Sequence, residues 1–213
     1  SSNYFAGHAL VMGLEYCGDR LTSDRFVNHK MTSRTLEETE FYVQDDWTVN
    51  NHWMFSGGVR TNFSEAFGFM YMPKIAAKYS PDDYWAIRAN YSMGYRSPSI
   101  KELFFNWDHL GMFMIKGNEF LKPEKNNYVS AGVEYSNRHF FFNSTLYGNF
   151  YRKKIEGVWR IYDMQYNFEY VNLDRQTIAG VDLLGRWTPT DWLTLNASYS
   201  SVYVSKEKGL RIN

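Results

Sequence analysis

The sequence predicts an all-β fold, an antiparallel up-and-down meander of about nine strands forming part of a transmembrane barrel. Three observations carry this: a two-residue hydrophobic period, short turns alternating with longer connections, and tryptophans clustered beside the turns. The period is cleanest over 84–96. Trp85, Ile87, Ala89, Tyr91, Met93 and Tyr95 fall on one face; Ala86, Arg88, Asn90, Ser92, Gly94 and Arg96 fall on the other. A strand between lipid and water needs this alternation, apolar outward and polar toward the lumen.

The strands are expected at 6–17, 36–49, 52–62, 71–80, 84–96, 127–136, 139–152, 166–188 and 192–204, with each pairing to its sequence neighbour. Asn50-Asn51, Pro81-Asp82-Asp83, Ser136-Asn137-Arg138 and Pro189-Thr190-Asp191 are turn-forming stretches. The other connections, 18–35, 63–70, 97–126 and 153–165, are expected to be long loops. Every second connection is short, so the short ones share one end of the sheet, as in outer-membrane barrels. Trp47, Trp53, Trp85, Trp187 and Trp192 each lie within a few residues of a short turn. The first four share the apolar phase of their strands and Trp192 does not. An indole suits a membrane interface, with its body apolar and its N–H wet. Ordinary core packing is the competing account of these tryptophans.

All five prolines fall at strand starts, turns or loops, where a ladder tolerates them. Residues 99–105 are compatible with one short helical turn after Pro98. A sheet of about nine strands leaves two edges open, which lipid does not tolerate. The 213 residues are therefore expected to be an incomplete segment of a larger barrel of about 22 strands, with the plug domain and closing strands outside it.

Composition narrows the function. Net charge is zero, which gives no footprint for nucleic acid. Mean hydropathy is −0.49 and no apolar run reaches about 18 residues, so no transmembrane helix is expected, while a barrel hides its hydrophobicity in alternation. Cys17 is the single cysteine, which removes intrachain disulfides and four-cysteine zinc sites. Asp45-Asp46 and Asp82-Asp83 are adjacent in sequence, so their side chains diverge in a strand and form no two-carboxylate site. No catalytic nucleophile setting or phosphate loop is present, and no enzymatic activity is expected.

Three stretches carry a resemblance. The first is Gly94-Tyr95-Arg96-Ser97-Pro98-Ser99-Ile100-Lys101-Glu102-Leu103. The second is Gly117-Asn118-Glu119-Phe120-Leu121-Lys122-Pro123-Glu124. The third runs from Tyr170-Val171-Asn172 to Ile178-Ala179-Gly180-Val181-Asp182. In this order they resemble motifs of the TonB-dependent outer-membrane receptors, which import scarce nutrients such as chelated iron, haem or cobalamin. Ser97 stands where that family has alanine, Glu119 where it has proline, and Asp182 where it has glutamate. The resemblance implies a multi-pass barrel in the bacterial outer membrane, contacting its lipid. It also implies a TonB complex acting through an N-terminal region outside this chain, and a ferric siderophore or haem as transported ligand rather than cofactor. A passive porin or an outer-membrane enzyme barrel is the alternative.

Between the first two stretches lie Trp107, Asp108, His109, Met112, Phe113 and Met114. With Arg96 these are the candidate ligand-binding residues, since loops on a rigid scaffold commonly carry binding. Some haem-transporting members of the family place a histidine between the two stretches, and His109 matches that position. Imidazole commonly ligates haem iron axially. The competing account is a histidine packed within its loop. His52 and His139 fall in short turns, His8 in a strand and His29 in a long connection. For Arg60, Arg88 and Arg96 the expected role is a lumen lining paired with carboxylates, and for the motif residues it is either rim architecture or ligand contact.

Overall fold

The computed structural model describes residues 3–5, 7–26, 30–162 and 164–205. Nine wall strands form the expected meander: β2 (His8–Ser23), β3 (Thr32–Thr48), β4 (Trp53–Ser64), β5 (Gly68–Tyr79), β6 (Trp85–Arg96), β9 (Glu124–Ser136), β10 (Phe140–Tyr162), β11 (Gln165–Thr190) and β12 (Leu193–Val204). A short β1 (Asn3–Phe5) precedes them, and between β6 and β9 lie α1 (Ile100–Phe104), β7 (Asn106–His109) and β8 (Phe113–Lys116). Together the strands make one 12-stranded sheet.

Three of the four short turns share one device. Asn50 Oδ1 accepts the amides of His52 and Trp53, both at 2.9 Å. Asp82 Oδ1 accepts those of Tyr84 and Trp85 at 2.8 and 2.9 Å. Asn137 Oδ1 accepts those of His139 and Phe140 at 2.9 and 2.7 Å. Each side chain mimics a backbone turn, the reason Asx residues start them. His52 and His139 tie each of two turns to the strand end beside it, through Nδ1 to Ser80 O (2.8 Å) and Thr188 O (3.1 Å).

The two faces divide as expected. Beside the turns, aromatic rings touch along the outer face: Trp47 with Phe55, Phe55 with Trp53, Trp53 with Tyr79, and Trp85 with Tyr135, at centroid distances of 4.5–6.2 Å. On the inner face Arg60 pairs with Glu40 and Arg88 with Glu134, each at 3.0 Å. Asn62, fully buried, donates to Glu38 and Glu40.

Three expectations are corrected. Connection 63–70 is a tight turn at 65–67, because Phe63↔Phe69 and Ser64↔Gly68 continue the ladder and Gly68 takes φ 76°. Connection 153–165 is a hairpin: β10 and β11 run on together to Tyr162↔Gln165. Outside the lipid band a strand needs no apolar outer face, so charged residues such as Lys153, Lys154 and Arg160 do not end it. The outer connections are thus not uniformly long. Finally, pairing with the sequence neighbour holds along the wall, with β6 on β9 across the long connection as expected, but that connection is not a bare loop: within it β8 joins β11 in parallel.

Candidate ligand site in the connection between β6 and β9

Residues 97–123 fold inward as a fixed structure. Pro98 stops β6, and Ser99 caps α1: its Oγ accepts Glu102 N, while Glu102 reaches back to Ser99 N at 2.8 Å. The helix turns Leu103 onto Leu121 and Ile155, with Leu36, Phe67, Phe104 and Tyr170 around them. This small core lies at the outer end of the wall, between the connection and β10. Gly117 passes so close to the Leu103 backbone that a Cβ would sit 2.7 Å from it, which explains a glycine there.

Motif residues hold this fold in place. The Asn172 amide accepts Lys122 N at 2.8 Å and donates to Lys122 O and Lys153 O at 2.8 and 2.7 Å. Asn118 donates to Tyr170 O at 3.1 Å. Arg96 pairs with Glu102 at 3.1 Å and Glu124 at 3.5 Å, and Glu124 also accepts Ile155 N. In this structure Arg96 thus braces the base of the connection and lies among carboxylates.

Beyond the helix, β7 and β8 form a hairpin around Leu110-Gly111. Both residues have positive φ, 56° and 74°, and with Met112 they make a three-residue turn between the paired His109 and Phe113. Asp108 Oδ1 accepts Gly111 N at 2.9 Å and Met112 N bonds His109 O at 3.0 Å, closing it. The register places Trp107, His109, Phe113 and Ile115 on one face of the ribbon, and Asp108, Met114 and Lys116 on the other. The six candidates in this stretch are thus divided, and Asp108 serves the turn.

The hairpin is anchored at both sides. Asn106 N bonds Arg25 O at 2.8 Å, and the Arg25 guanidinium lies over the Trp107 ring at 4.2 Å. On the other side β8 pairs with residues 166–169 of β11. There Lys116 Nζ meets Tyr162 Oη at 2.6 Å, and Tyr162 bonds Glu169. Burial and the Glu169 bond raise the Tyr162 hydroxyl above its ordinary pKa, against the opposing pull of Lys116.

One consequence is a run of aromatic contacts from the hairpin onto the wall. His109 lies 4.8 Å from both Trp107 and Phe113; Phe113 is 5.2 Å from Trp159, Trp159 5.1 Å from Phe168, and Phe168 5.3 Å from Tyr170. Phe168 lies across Gly157, whose place a side chain would take. His109 Nδ1 is buried and without a hydrogen-bond partner. At the end of this run Met112, Phe113, Trp159 and Tyr166 line an open cleft of about 340 Å³. Trp159 is missing from the sequence-based candidates because its segment reads as loop, and Tyr166 because it opens a strand that reads as wall. Extending the period of two along 155–161 would have placed Trp159 beside Ile155 and Ile161. Among the described residues no cluster of three His, Cys, Asp or Glu is arranged to hold a metal, and His29 lies outside them.

Comparison with known proteins agrees with this architecture. A family model described as TonB dependent receptor-like, beta-barrel matches residues 1–212. The iron-regulated outer membrane virulence protein of Vibrio cholerae is 26% identical over 133 residues, 61% of this chain and 20% of that protein. The vitamin B12 transporter BtuB of Photobacterium profundum is 25% identical over 212 residues, 96% of this chain and 32% of that protein. The siderophore receptor PirA from Pseudomonas aeruginosa superposes with a TM-score of 0.84 at 17% identity, over 93% of this chain and 40% of that one. The matched region thus spans between a fifth and two fifths of these proteins' lengths.

Proposed function

The chain belongs to the TonB-dependent receptor β-barrel family of the bacterial outer membrane, and we propose that its receptor imports an iron chelate, a ferric siderophore or haem. It is receptor wall and not an enzyme domain. In this proposal the segment is one part of a barrel of about 22 strands. A plug and an N-terminal region outside this chain fill the barrel and engage an energising TonB complex.

The observation that carries the reading is the open cleft of Met112, Phe113, Trp159 and Tyr166 at the outer end of the sheet. Aromatic faces and a thioether suit a flat or aryl-bearing chelate. The fixed hairpin holds them without the ordering cost of a flexible loop. The iron-regulated Vibrio relative favours iron over other scarce nutrients. Haem is favoured by one feature, the unpartnered Nδ1 of His109 beside the same rings. In the observed conformation that atom is enclosed, so ligation requires the ring to turn or Nε2 to serve. On the haem reading Trp107 and Phe113 flank His109, while Asp108 and Met114 support the hairpin from behind.

The test is growth of cells whose only high-affinity uptake route is the full-length receptor, in iron-limited medium fed with ferric siderophores, haem or, separately, cobalamin where it is required. Growth on an iron chelate that ceases when TonB is removed is expected. Growth restored by cobalamin alone contradicts the iron assignment, and growth independent of TonB favours a passive channel.

A further inference from the structure

Of the nine methionines in the chain, one both is well exposed and forms part of the candidate ligand cleft. Met112 is 58% exposed and lines the cleft with Phe113, Trp159 and Tyr166. Its backbone is held there, because Met112 N donates to His109 O at 3.0 Å and closes the turn. The other methionines differ in setting. Met114, two residues on, falls on the opposite face of the ribbon. Met12 shares the lipid-facing phase of Leu10 and Leu14 in β2. Met70 and Met72 pair with Asn62 and Arg60 on the inner wall. Met31 and Met164 are exposed, the latter fully, yet neither lines the cleft. Sulfur gives the Met112 position a property that the three aromatic groups lack. A thioether is readily oxidised, and exposure decides which ones react.

We propose that Met112 is a site of oxidative modification, at which hydrogen peroxide converts the thioether to the sulfoxide and weakens capture of the iron chelate. The inference rests on the cleft being the chelate site. In the step, a sulfur lone pair forms the S–O bond to one peroxide oxygen as the O–O bond breaks. The leaving hydroxide takes the proton of the transferred oxygen and departs as water. Sulfur loses two electrons, and the peroxide gains them. The product is polar where the cleft is apolar. Its oxygen holds water, and a chelate seated against Met112 must strip that water away. A thioether rests on aromatic faces at no such cost. The consequence suits an iron importer. Ferrous iron gives one electron to peroxide and splits it into hydroxide and hydroxyl radical, so weaker capture under peroxide limits that chemistry inside the cell.

The experiment uses the full-length receptor in detergent, as parent, Met112→Leu and Met164→Leu. Each is treated with hydrogen peroxide, which catalase then removes, and peptide mass spectrometry reads the oxygen added at each methionine. Binding of haem and of a ferric tris-catecholate is titrated before and after, and each protein is compared with its own untreated sample. The parent should lose about tenfold in affinity as Met112 gains one oxygen, the cost of burying an unpaired polar group. Met164→Leu should lose as much, and Met112→Leu should stay within about twofold of its untreated value. Met112 left unoxidised while Met164 is fully oxidised overturns the inference, as does full oxidation of Met112 with affinity unaltered. An equal loss in Met112→Leu assigns the effect to another methionine and also overturns it. The Phe113→Ala/Trp159→Ala variant separates this inference from the cleft assignment. If that variant binds weakly while oxidation of Met112 changes nothing, the cleft stands and the modification falls. If it binds like the parent, the cleft assignment fails and this inference with it.

Discussion

Replacing Asn172 with alanine removes three hydrogen bonds: two that tie residues 117–123 to the wall, with Lys122 N and Lys122 O, both at 2.8 Å, and one within the wall, to Lys153 O at 2.7 Å. An intramolecular hydrogen bond contributes a net ~0.5–1.5 kcal/mol, so the two that hold the connection together contribute about 2 kcal/mol. The loss is then about 2 kcal/mol, felt locally because the ladder between β10 and β11 is untouched. That energy corresponds to a roughly 30-fold rise in opening of the segment. Native-state hydrogen exchange on the full-length receptor reads it directly. The amides of Leu121 and Lys122 should exchange roughly 30-fold faster in the alanine variant, with those of 127–150 unaltered. Asn172→Asp keeps the acceptor and loses both donors, so it should fall between. Unchanged protection at 121 and 122 in the alanine variant would show that the small core of Leu103, Leu121 and Ile155 alone anchors the connection, refuting the role given to Asn172.

Spin labels at 89 and 90 of the full-length receptor should report opposite environments, lipid for Ala89 and lumen for Asn90; equal access to a lipid-soluble quencher contradicts the register, since a one-residue slip exchanges the faces. His109→Ala should lower haem affinity at least tenfold and shift the haem absorption band if the imidazole ligates iron, with expression unchanged. Unaltered haem binding makes His109 a packing residue between Trp107 and Phe113 and favours the siderophore. Leu110→Gly places the residue suited to φ 56° at the hairpin turn and should slow exchange of Met112 N severalfold, the φ > 0 cost for leucine being about 1 kcal/mol. Faster exchange there would show that Leu110 holds the turn through its side chain.

The wall was legible because its two faces meet different solvents. Trp85, Ile87 and Ala89 alternate with Arg88 and Asn90, and Asn50, Asp82 and Asn137 mark turns through a mechanism local to each. The outer ends were harder to read, because there both faces meet water or protein and the alternation loses its contrast. Lys153, Lys154 and Arg160 read as loop although their backbone stays in the ladder. The hairpin at 106–116 carries no strong local signal either. Its turn is Leu110-Gly111-Met112 and not Asn-Gly, so tertiary anchoring at Arg25 and β11 overrides a weak local preference. Of the candidate residues, Trp107, His109 and Phe113 share one face, as a period of two requires. Asp108 and Met114 fall behind them for the same reason. Trp159 comes from the misread segment 153–165, Tyr166 opens a strand that reads as plain wall, and Arg25 carried no sequence signal at all.

The central claim is that the cleft between the inserted hairpin and the β10–β11 extension receives the iron chelate. Equilibrium binding to the full-length receptor and to its Phe113→Ala/Trp159→Ala variant tests it most directly, with ferric siderophores and haem titrated separately. Truncating two aromatic groups in contact with a ligand costs about 2 kcal/mol or more, so the chelate that the receptor takes up should bind the variant at least roughly 30-fold more weakly. The wall ladder, read by hydrogen exchange, should stay intact. Affinity within twofold of the parent for every chelate that binds, with the wall intact, would contradict the account and move the binding site elsewhere in the receptor.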